Sequence, residues 1–355
     1  MAPSGPRLEA LQVLRALAAA AVMCFHGAGI FEERAGGAWL GSFFQPGHHG
    51  VDLFFVLSGF IITFTASGVR GSREFATKRF IRLVPVYWLV TAMLIVAYFL
   101  APTPDMAHKG DGSVVLSSVL LWPAPRHVVG VAWTLVYELW FYLLFGLLFF
   151  RSRLLFYTAL SGWFALACAA WMLRWRFESY ALASFLDPIV GEFLLGCVAA
   201  ALFARFSGRA SGVALGVGAA GLAVAYAAEV AGIVLWRVAT FGLPSALLIY
   251  GAANLRWRWP RALVYLGDAS YSLYLIHGTA ISVLLKLAAW VGGIRLVGGP
   301  SGQLAIYVAT LFGAALFHRV VEAPLLAACR RRWVQRGAEP DPHVLLQAPI
   351  GLARQ

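Results

Sequence analysis

Residues 50–68 read GVDLFFVLSGFIITFTASG, a run of 19 residues in which Asp52 is the single ionisable side chain. The hydrocarbon core of a bilayer is about 30 Å thick, and an α-helix needs about 20 mostly apolar residues to cross it. This run therefore predicts a transmembrane helix. Similar apolar runs follow one another along the chain, separated by short polar connections.

The composition extends this interpretation to the whole chain. Hydrophobic residues make up 61% of the 355 residues and charged residues 12%, whereas soluble proteins carry roughly 25% charged residues. The formal net charge of +12 lies in short clusters between apolar runs, so it indicates orientation in a membrane and argues against nucleic-acid binding. The four cysteines are far apart and form no CxxC pair, which argues against a disulfide framework or a zinc site.

Ten apolar runs predict an all-α, polytopic integral membrane protein with about ten transmembrane helices. Clusters of Lys and Arg occupy alternate connections, from residues 70–82 to the tail at 330–336, and the other connections are poorer in them. Because cytoplasmic loops carry an excess of Lys and Arg, both termini are predicted to lie in the cytoplasm. Gly and Ala dominate the seventh and eighth runs, which favours close helix packing there. The predicted spans are 9–30, 50–68, 81–101, 131–151, 154–172, 185–204, 212–228, 232–252, 268–291 and 303–322.

Ionisable side chains inside the predicted spans are candidates for function, because hydrocarbon penalises them. Arg15 and His26 in the first span are 11 residues apart, which places them on nearly the same helical face. Their separation along the helix axis is roughly 16 Å. One face thus carries a cation deep in the cytoplasmic half and an imidazole near the outer end. A snorkelling arginine and an interfacial histidine would also explain this pattern.

Three further polar side chains mark the start of the second span. Asp52 is predicted at the level of His26, where a carboxylate would orient the imidazole and raise its basicity. A first-turn acid that stabilises the helix N-terminus is the simpler interpretation. His48 and His49 lie just before it. Two adjacent histidines are a weak metal signal and most often belong to a wet loop, so no metal site is predicted.

Basic residues cluster at the start of the third span, in FATKRFIRLVPVYW (residues 75–88). Arg79 and Arg82 are three residues apart and share a helical face, and such a fork suits a phosphate group. Lys78 adds a third cation beside them. The excess of basic residues in cytoplasmic loops would place the same side chains here without any ligand.

Carboxylates and histidines recur in the later spans. Glu138 in WTLVYELWFYLLF (residues 133–145) lies about two turns into the membrane, where an unpaired carboxylate is costly. His26 or a basic group of another helix is therefore expected as its partner. The ninth span places His277 near its middle, in LGDASYSLYLIHG. Glu322 ends the tenth span, and a structural ion pair is the simple interpretation there.

These residues, in this order and spacing, resemble the acyltransferase family 3 membrane proteins, which O-acylate sugars and related molecules. The resemblance covers residues 8–324, nearly the whole chain. Each motif is weak alone, and the ordered set is specific. The matching positions are Arg15 and His26 as an Arg-(ten residues)-His pair, Ser58 in GVDLFFVLSGFIIT, Arg79 and Arg82 as an Arg-x-x-Arg pair, Trp133 and Glu138 in WTLVYELWFY, Tyr271 and His277 in YSLYLIH, and Glu322 in VEAP.

The resemblance implies an acyltransferase membrane domain over residues 1–335, multi-pass in the inner (cytoplasmic) membrane of a bacterium. Residues 336–355 are then a cytoplasmic tail that is expected to be disordered. Family members take acyl-CoA from the cytoplasm and reach their acceptor from the outer side. The implied partners are acyl-CoA (acetyl-CoA on family frequency), a glycan or glycolipid acceptor and membrane lipid. No metal cofactor and no nucleic acid are expected, and the oligomeric state is left open.

The resemblance also implies that the first-helix histidine, His26, is catalytic, and a mechanism that fits gives the other site residues their roles. His26 is the predicted general base on an acceptor hydroxyl, with Asp52 or Glu138 holding its tautomer. An acyl-histidine intermediate is the alternative. A transporter or flippase of a sugar or glycolipid is the rival function from another class, and a scaffold of a polysaccharide export complex is a third. The predicted ligands of the phosphates and pantetheine arm of acyl-CoA are Arg15, Lys78, Arg79 and Arg82.

Overall fold

The computed structural model describes residues 6–39, 41–102, 104–206, 209–233, 235–293 and 297–333, so the predicted tail at 336–355 lies outside the described residues. Within these ranges the chain is helical and contains no β-strand, in agreement with the predicted all-α class. The α-helices are α1 (Pro6–Ala35), α2 (Gly41–Phe44), α3 (Gly50–Thr65), α4 (Ser72–Leu100), α5 (Gly112–Leu120), α6 (Trp133–Leu144), α7 (Arg153–Met172), α8 (Tyr180–Phe185), α9 (Gly191–Phe206), α10 (Ser211–Val230), α11 (Leu243–Ala252), α12 (Arg261–Asp268), α13 (Ser270–Trp290), α14 (Pro300–Phe317) and α15 (Ala323–Trp333). The 3₁₀ turns are Gln45–His49, Ala66–Gly68, Pro104–Gly110, Gly130–Ala132 and Pro188–Val190, and the π-helical turns are Phe145–Phe149, Val238–Gly242 and His318–Glu322.

Nine helical segments within the described residues are long and apolar enough to cross a membrane, which confirms the multi-pass prediction. The eighth predicted span is shorter, a π-helical turn of 5 residues continued by the 10 residues of α11. It is about 22 Å long, less than the roughly 30 Å of a bilayer core. The count of ten crossings and the orientation with both termini inside stay predictions. The nine segments are Glu9–Ala35, Gly41–Gly68, Ser72–Leu100, Gly130–Phe149, Arg153–Met172, Tyr180–Phe206, Ser211–Val230, Ser270–Trp290 and Pro300–Trp333.

Helices α3 and α9 touch backbone to backbone at two glycines. A Cβ atom on Gly196 would lie 2.1 Å from the carbonyl oxygen of Val56, and one on Gly59 would lie 2.3 Å from the carbonyl oxygen of Phe193. Neither position has room for a side chain larger than hydrogen. Because lipid tails are as apolar as leucine, close packing of this kind is what holds membrane helices together.

The small-residue pattern of the seventh and eighth spans also becomes a helix contact. A Cβ atom on Gly218 of α10 would lie 2.4 Å from the amide nitrogen of Leu248 in α11. One on Gly251 of α11 would lie 2.6 Å from the amide nitrogen of Leu215 in α10. The predicted close packing of these two spans is therefore confirmed.

Helix α1 lies against α3, α12 and α13, and it also carries the turn that precedes α3. This 3₁₀ turn, Gln45–His49, packs on α1 through Gly47 at its centre and through Gly50, the first residue of α3. A Cβ atom on Gly47 would lie 2.4 Å from the carbonyl oxygen of Ala21, and one on Gly50 would lie 2.4 Å from that of Ala18. The contact fixes the two histidines of the turn beside α1.

Gly196→Ala is expected to lower the melting temperature of the purified protein in detergent by several degrees, because the added methyl group has to push α3 and α9 apart. Gly162→Ala in α7 is the matched control, since no described neighbour lies within 4 Å of the Cβ position there. Alanine improves helix propensity at such a site by about 1 kcal/mol. Equal melting temperatures of the two variants would show that the α3–α9 contact does not limit stability.

Candidate functional site

His26 of α1 and His277 of α13 form a hydrogen-bonded pair. His277 Nε2 lies 3.1 Å from His26 Nδ1, and the two ring centroids are 5.0 Å apart. His277 is buried, whereas His26 is partly exposed. The residue predicted to be the catalytic histidine thus has as its direct neighbour a second imidazole, 251 positions away in the sequence.

The hydrogen bonds around this pair assign its protons when both rings are neutral. His277 Nδ1 lies 3.0 Å from the carbonyl oxygen of Leu273, which only accepts, so Nδ1 carries the hydrogen and Nε2 is the acceptor. His26 Nδ1 must then donate, and its hydrogen is shared between His277 Nε2 and the carbonyl oxygen of Val22 at 3.0 Å. His26 Nε2 is left with its lone pair, and this is the form of imidazole that accepts a proton.

Asp52 lies apart from this pair, in a separate cluster of buried charges. Its carboxylate accepts two hydrogen bonds from Arg237, Nε to Oδ1 at 2.8 Å and Nη2 to Oδ2 at 2.7 Å, and a third from His49 Nδ1 at 3.0 Å. The prediction that Asp52 orients His26 is therefore wrong. A fully buried carboxylate needs a paired cation, and Arg237 supplies it from 185 positions away.

Glu138 also lies away from His26, so the predicted contact between these two residues is wrong as well. The Glu138 carboxylate accepts hydrogen bonds from Ser58 Oγ at 3.1 Å and from the Tyr142 hydroxyl. It lines a cavity that also holds the guanidinium group of Arg79. An ion pair of Glu138 with a basic group of another helix, the other partner considered, stays a prediction.

Three guanidinium side chains line that cavity, Arg15 from α1 and both Arg79 and Arg82 from α4. Arg15 Nε donates to Ser270 Oγ at 3.2 Å. The Arg79 guanidinium lies over the ring of Phe75, 5.5 Å from its centroid. The fork predicted on α4 therefore faces a cavity, and Arg15 joins it there. Three guanidinium groups around one opening suit an anion such as a phosphate.

Lys78, the fourth predicted ligand of acyl-CoA, is placed differently from the three arginines. Its ammonium group pairs with Glu74 Oε1 at 2.6 Å, one turn away on α4. The Lys78 side chain is not part of the cavity lining among the residues that the structure describes. A role for Lys78 in phosphate binding stays a prediction.

Glu322 lies beside the arginine end of the cavity. Its buried carboxylate accepts hydrogen bonds from Ser272 Oγ at 2.5 Å and His318 Nδ1 at 2.9 Å, and Arg82 Nη1 lies 4.0 Å from its other oxygen. Glu322 ends a π-helical turn, a wide form of helix that is frequent at functional sites. The structural ion pair expected from the sequence is present, and it also neighbours one of the cavity arginines.

The remaining motif residues differ in their distance from the cavity. Ser58 and Tyr271 belong to its lining, and the Tyr271 hydroxyl donates to the carbonyl oxygen of Leu83 at 2.7 Å. Trp133 stands at the start of α6, where its ring packs edge-on against that of Tyr137. Trp133 is thus a packing residue of α6 in the described structure.

The cavity extends towards the histidine pair. Its lining includes Phe54, Thr134 and Tyr274. Thr134 Oγ1 and the Tyr274 hydroxyl are hydrogen-bonded at 2.9 Å, and the Tyr274 ring centroid lies 6.2 Å from that of His277. The Tyr274 ring therefore links the lining of the arginine-lined cavity to the His277 imidazole.

Sequence reasoning missed Arg237, Glu192 and Glu229, which surround Asp52 and the turn before α3. Glu192 is fully buried in α9, and a carboxylate inside an apolar run was the available signal, the same one that singled out Glu138. Arg237 lies inside the predicted eighth span, so the same signal was available for it, whereas Glu229 lies in the short connection between the seventh and eighth runs, where a charged residue is ordinary. Only the folded structure brings them together.

Comparison with known proteins adds the family. The sequence profile of an acyltransferase domain matches residues 8–319. The exopolysaccharide production protein ExoZ of Rhizobium meliloti is 32% identical over 323 residues, which cover 82% of this chain and 96% of that protein. Acyltransferase MdmB of Streptomyces mycarofaciens is 30% identical over 390 residues, which cover 96% of this chain and 97% of that protein. No solved structure matches the chain.

The fold and the site define a multi-pass membrane protein whose arginine-lined cavity leads to a pair of imidazoles. The matches supply the reaction class. The chain belongs to the acyltransferase 3 family, and it is therefore an enzyme that transfers acyl groups in a membrane. The resemblance seen in the sequence motifs is confirmed.

Asp52→Asn is expected to destabilise the protein by about 3 kcal/mol, because it leaves the Arg237 guanidinium without its buried counter-charge. Thermal unfolding in detergent measures the effect. Glu33→Gln removes the same charge from an exposed position on α1 and should leave the melting temperature unchanged. A wild-type melting temperature for Asp52→Asn would mean that the carboxylate is not needed for the fold.

Proposed function

We propose that the protein is a membrane-bound O-acyltransferase of a bacterial inner membrane. It moves an acyl group, acetyl in the first instance, from cytoplasmic acyl-CoA to a hydroxyl group of an extracytoplasmic glycan or glycolipid. One observation carries the proposal: the Tyr274 ring links the lining of a cavity that holds three arginines to the His277 imidazole of the His26–His277 pair. Membership in the acyltransferase 3 family supports the reaction class.

The arginine end of the cavity suits the phosphates of acyl-CoA. Guanidinium groups bind phosphate oxygens through paired, charge-assisted hydrogen bonds, and three of them surround this opening. The excess of arginine in the neighbouring connections supports a cytoplasmic position for this end, on the side from which acyl-CoA would enter. Apolar side chains of the lining, Leu57 and Ile61 among them, suit the thin pantetheine arm.

His26 Nε2 is the proposed general base. It takes the proton of the acceptor hydroxyl while the hydroxyl oxygen attacks the thioester carbonyl carbon of acyl-CoA. The new C–O bond forms, the C–S bond breaks, and the imidazolium returns its proton to the departing thiolate. His277 is a positioning residue, because it accepts the hydrogen of His26 Nδ1 and so keeps the lone pair on Nε2. Attack by Nε2 itself, which gives an acyl-histidine, is the alternative route at the same nitrogen.

The acceptor part of the proposal draws on a relative. ExoZ is named for exopolysaccharide production, and this supports a polysaccharide hydroxyl as the acceptor. The partial exposure of His26 fits such a bulky acceptor, since the acceptor needs to bring only one hydroxyl group to the imidazole. A glycolipid hydroxyl presents the same chemistry, and analysis of the envelope glycans distinguishes the two.

His26→Ala is expected to lower acyl transfer at least about 100-fold, because a positioned general base contributes that much or more. Transfer from labelled acetyl-CoA is measured in isolated membranes, and mass spectrometry locates the acyl groups on the envelope glycans. His127→Ala removes an imidazole that instead contacts the carbonyl oxygen of Trp122, and it should keep the wild-type rate. Full activity of His26→Ala would contradict the mechanism. Sugar flux in vesicles without any acyl-CoA dependence would favour a transporter.

Replacing both Arg79 and Arg82 with alanine is expected to raise the KM for acetyl-CoA about tenfold or more, because two charge-assisted phosphate contacts are lost. The value of kcat should change less, since the phosphate contacts stabilise the bound acetyl-CoA and the transition state equally. Arg205→Ala is the matched control, because Arg205 lies over the ring of Phe206 at the end of α9. An unchanged KM in a folded double variant would exclude these arginines as ligands of the donor.

A further inference from the structure

Two imidazoles and a carboxylate converge where the turn before α3 meets the end of α10. His49 Nε2 lies 2.7 Å from Glu229 Oε2, and His48 Nε2 lies 3.7 Å from Glu229 Oε1. The ligand atoms of the three side chains all lie within 4.8 Å of one another. Nothing in the proposed acyl transfer uses this cluster.

Both imidazoles are held with the same nitrogen turned towards the carboxylate. His49 Nδ1 donates to Asp52 Oδ2 at 3.0 Å, and His48 Nδ1 donates to the carbonyl oxygen of Gln45 at 2.8 Å. Each Nε2 therefore carries the lone pair of a neutral imidazole. A metal-bound histidine has this arrangement, since its other ring nitrogen almost always donates to a carboxylate or a backbone carbonyl.

Lone pairs that face a carboxylate repel it, so the cluster needs positive charge at its centre. A proton on His49 Nε2 would satisfy one of the two contacts, whereas a metal ion would satisfy both. Bonds of about 2.0–2.2 Å to zinc place the ligand atoms of a tetrahedral site about 3.3 Å apart. That spacing lies between the separations of 2.7 Å and 3.7 Å that the histidines make with Glu229.

The surrounding charge favours a cation. The carboxylates of Asp52 and Glu229 both contact His49, at 3.0 Å and 2.7 Å. Arg237 pairs with Asp52, so among the described residues of this cluster the Glu229 carboxylate is left facing the two imidazoles. A divalent ion would supply the positive charge that this carboxylate and the two Nε2 lone pairs can bind.

Packing holds the ligands in place and leaves a way in. The Phe241 ring stacks on that of His49, with centroids 3.5 Å apart and planes inclined by 9°. The side chains of His48 and Glu229 are 34% and 25% exposed, and that of His49 is 10% exposed. An ion therefore reaches the cluster from the surface of the bundle without displacing the core.

We propose that His48, His49 and Glu229 form a binding site for a divalent transition-metal ion of the zinc type. Two histidines and one glutamate are the protein ligands of a class of zinc sites that keep one coordination position open. The sequence predicted no metal, because two adjacent histidines lack a third ligand. The fold supplies that ligand from 180 positions away.

The site adjoins the histidine pair. The Phe25 ring contacts both His26 and His48, with centroid distances of 4.9 Å and 5.1 Å. A bound ion would therefore stand one aromatic ring away from the proposed general base. Metal binding itself does not depend on the acyl-transfer proposal and is tested without it.

Zinc binding is measured on the full-length protein, purified in detergent through an affinity tag that contains no histidine. After treatment with EDTA, zinc is titrated in competition with a chromophoric chelator, and elemental analysis counts the bound ions. We expect about one zinc ion per chain. Losing a ligand should weaken binding at least about tenfold in His48→Ala and in Glu229→Gln. His127→Ala removes an imidazole outside the cluster and should bind zinc as the wild type does.

Thermal unfolding gives an independent readout. Zinc should raise the melting temperature of the wild type and of His127→Ala, since a ligand of the folded state stabilises it, and should not raise that of His48→Ala. The His48 variant keeps the Asp52–Arg237 pair intact and is the one expected to fold normally. Equal zinc affinity in the wild type and His48→Ala, or no zinc bound by the wild type, would overturn the proposal. The cluster would then be a hydrogen-bonded contact of His49 with Asp52 and Glu229 that binds no metal.

Discussion

Hydrocarbon cannot solvate an ionised side chain, and the charged groups of this bundle are arranged around that cost. Asp52 is fully buried and accepts two hydrogen bonds from Arg237 and one from His49. The pair ties α3 to the start of Val238–Ala252, the apolar segment that is shorter than the other spans of the described chain. Val238–Ala252 is too short for its apolar length alone to hold it across the bilayer. The buried Asp52–Arg237 ion pair holds its N-terminal end in the bundle.

Pairing Asp52 with Arg237 has a consequence for the chemistry. Asp52, which was predicted to orient His26, instead accepts hydrogen bonds from Arg237 and His49. Glu138 accepts hydrogen bonds from Ser58 and Tyr142 beside the arginine-lined cavity. Negative charge therefore collects in two places, and neither of them touches the imidazole. A neutral histidine, His277, occupies the position beside His26. The reacting centre thus avoids a second buried charge, which would cost several kcal/mol unless it were paired.

Features that depend on local helical periodicity could be predicted from the sequence. The contact partners of buried side chains could not, because those partners are distant in the sequence. The single face of α1 that carries Arg15 and His26 follows from 3.6 residues per turn, and the arginine fork of α4 follows from a spacing of three. The partner of Asp52 lies 185 positions away and that of His26 lies 251 positions away, so no local pattern could reveal either. The π-helical turn before Glu322 was equally hidden, because its residues read as ordinary helix.

The two histidines are also unequal, and the inequality comes from the helices themselves. Each Nδ1 contacts the carbonyl oxygen four residues earlier in its own helix, that of Val22 for His26 and that of Leu273 for His277. A carbonyl oxygen only accepts, so each neutral ring carries its hydrogen on Nδ1. In the hydrogen bond between the rings, His26 Nδ1 is therefore the donor and the lone pair of His277 Nε2 is the acceptor. Only His26 keeps a free lone pair. When His26 Nε2 takes a proton, His277 Nε2 stabilises the imidazolium through Nδ1–H, the position that a carboxylate occupies in hydrolase triads.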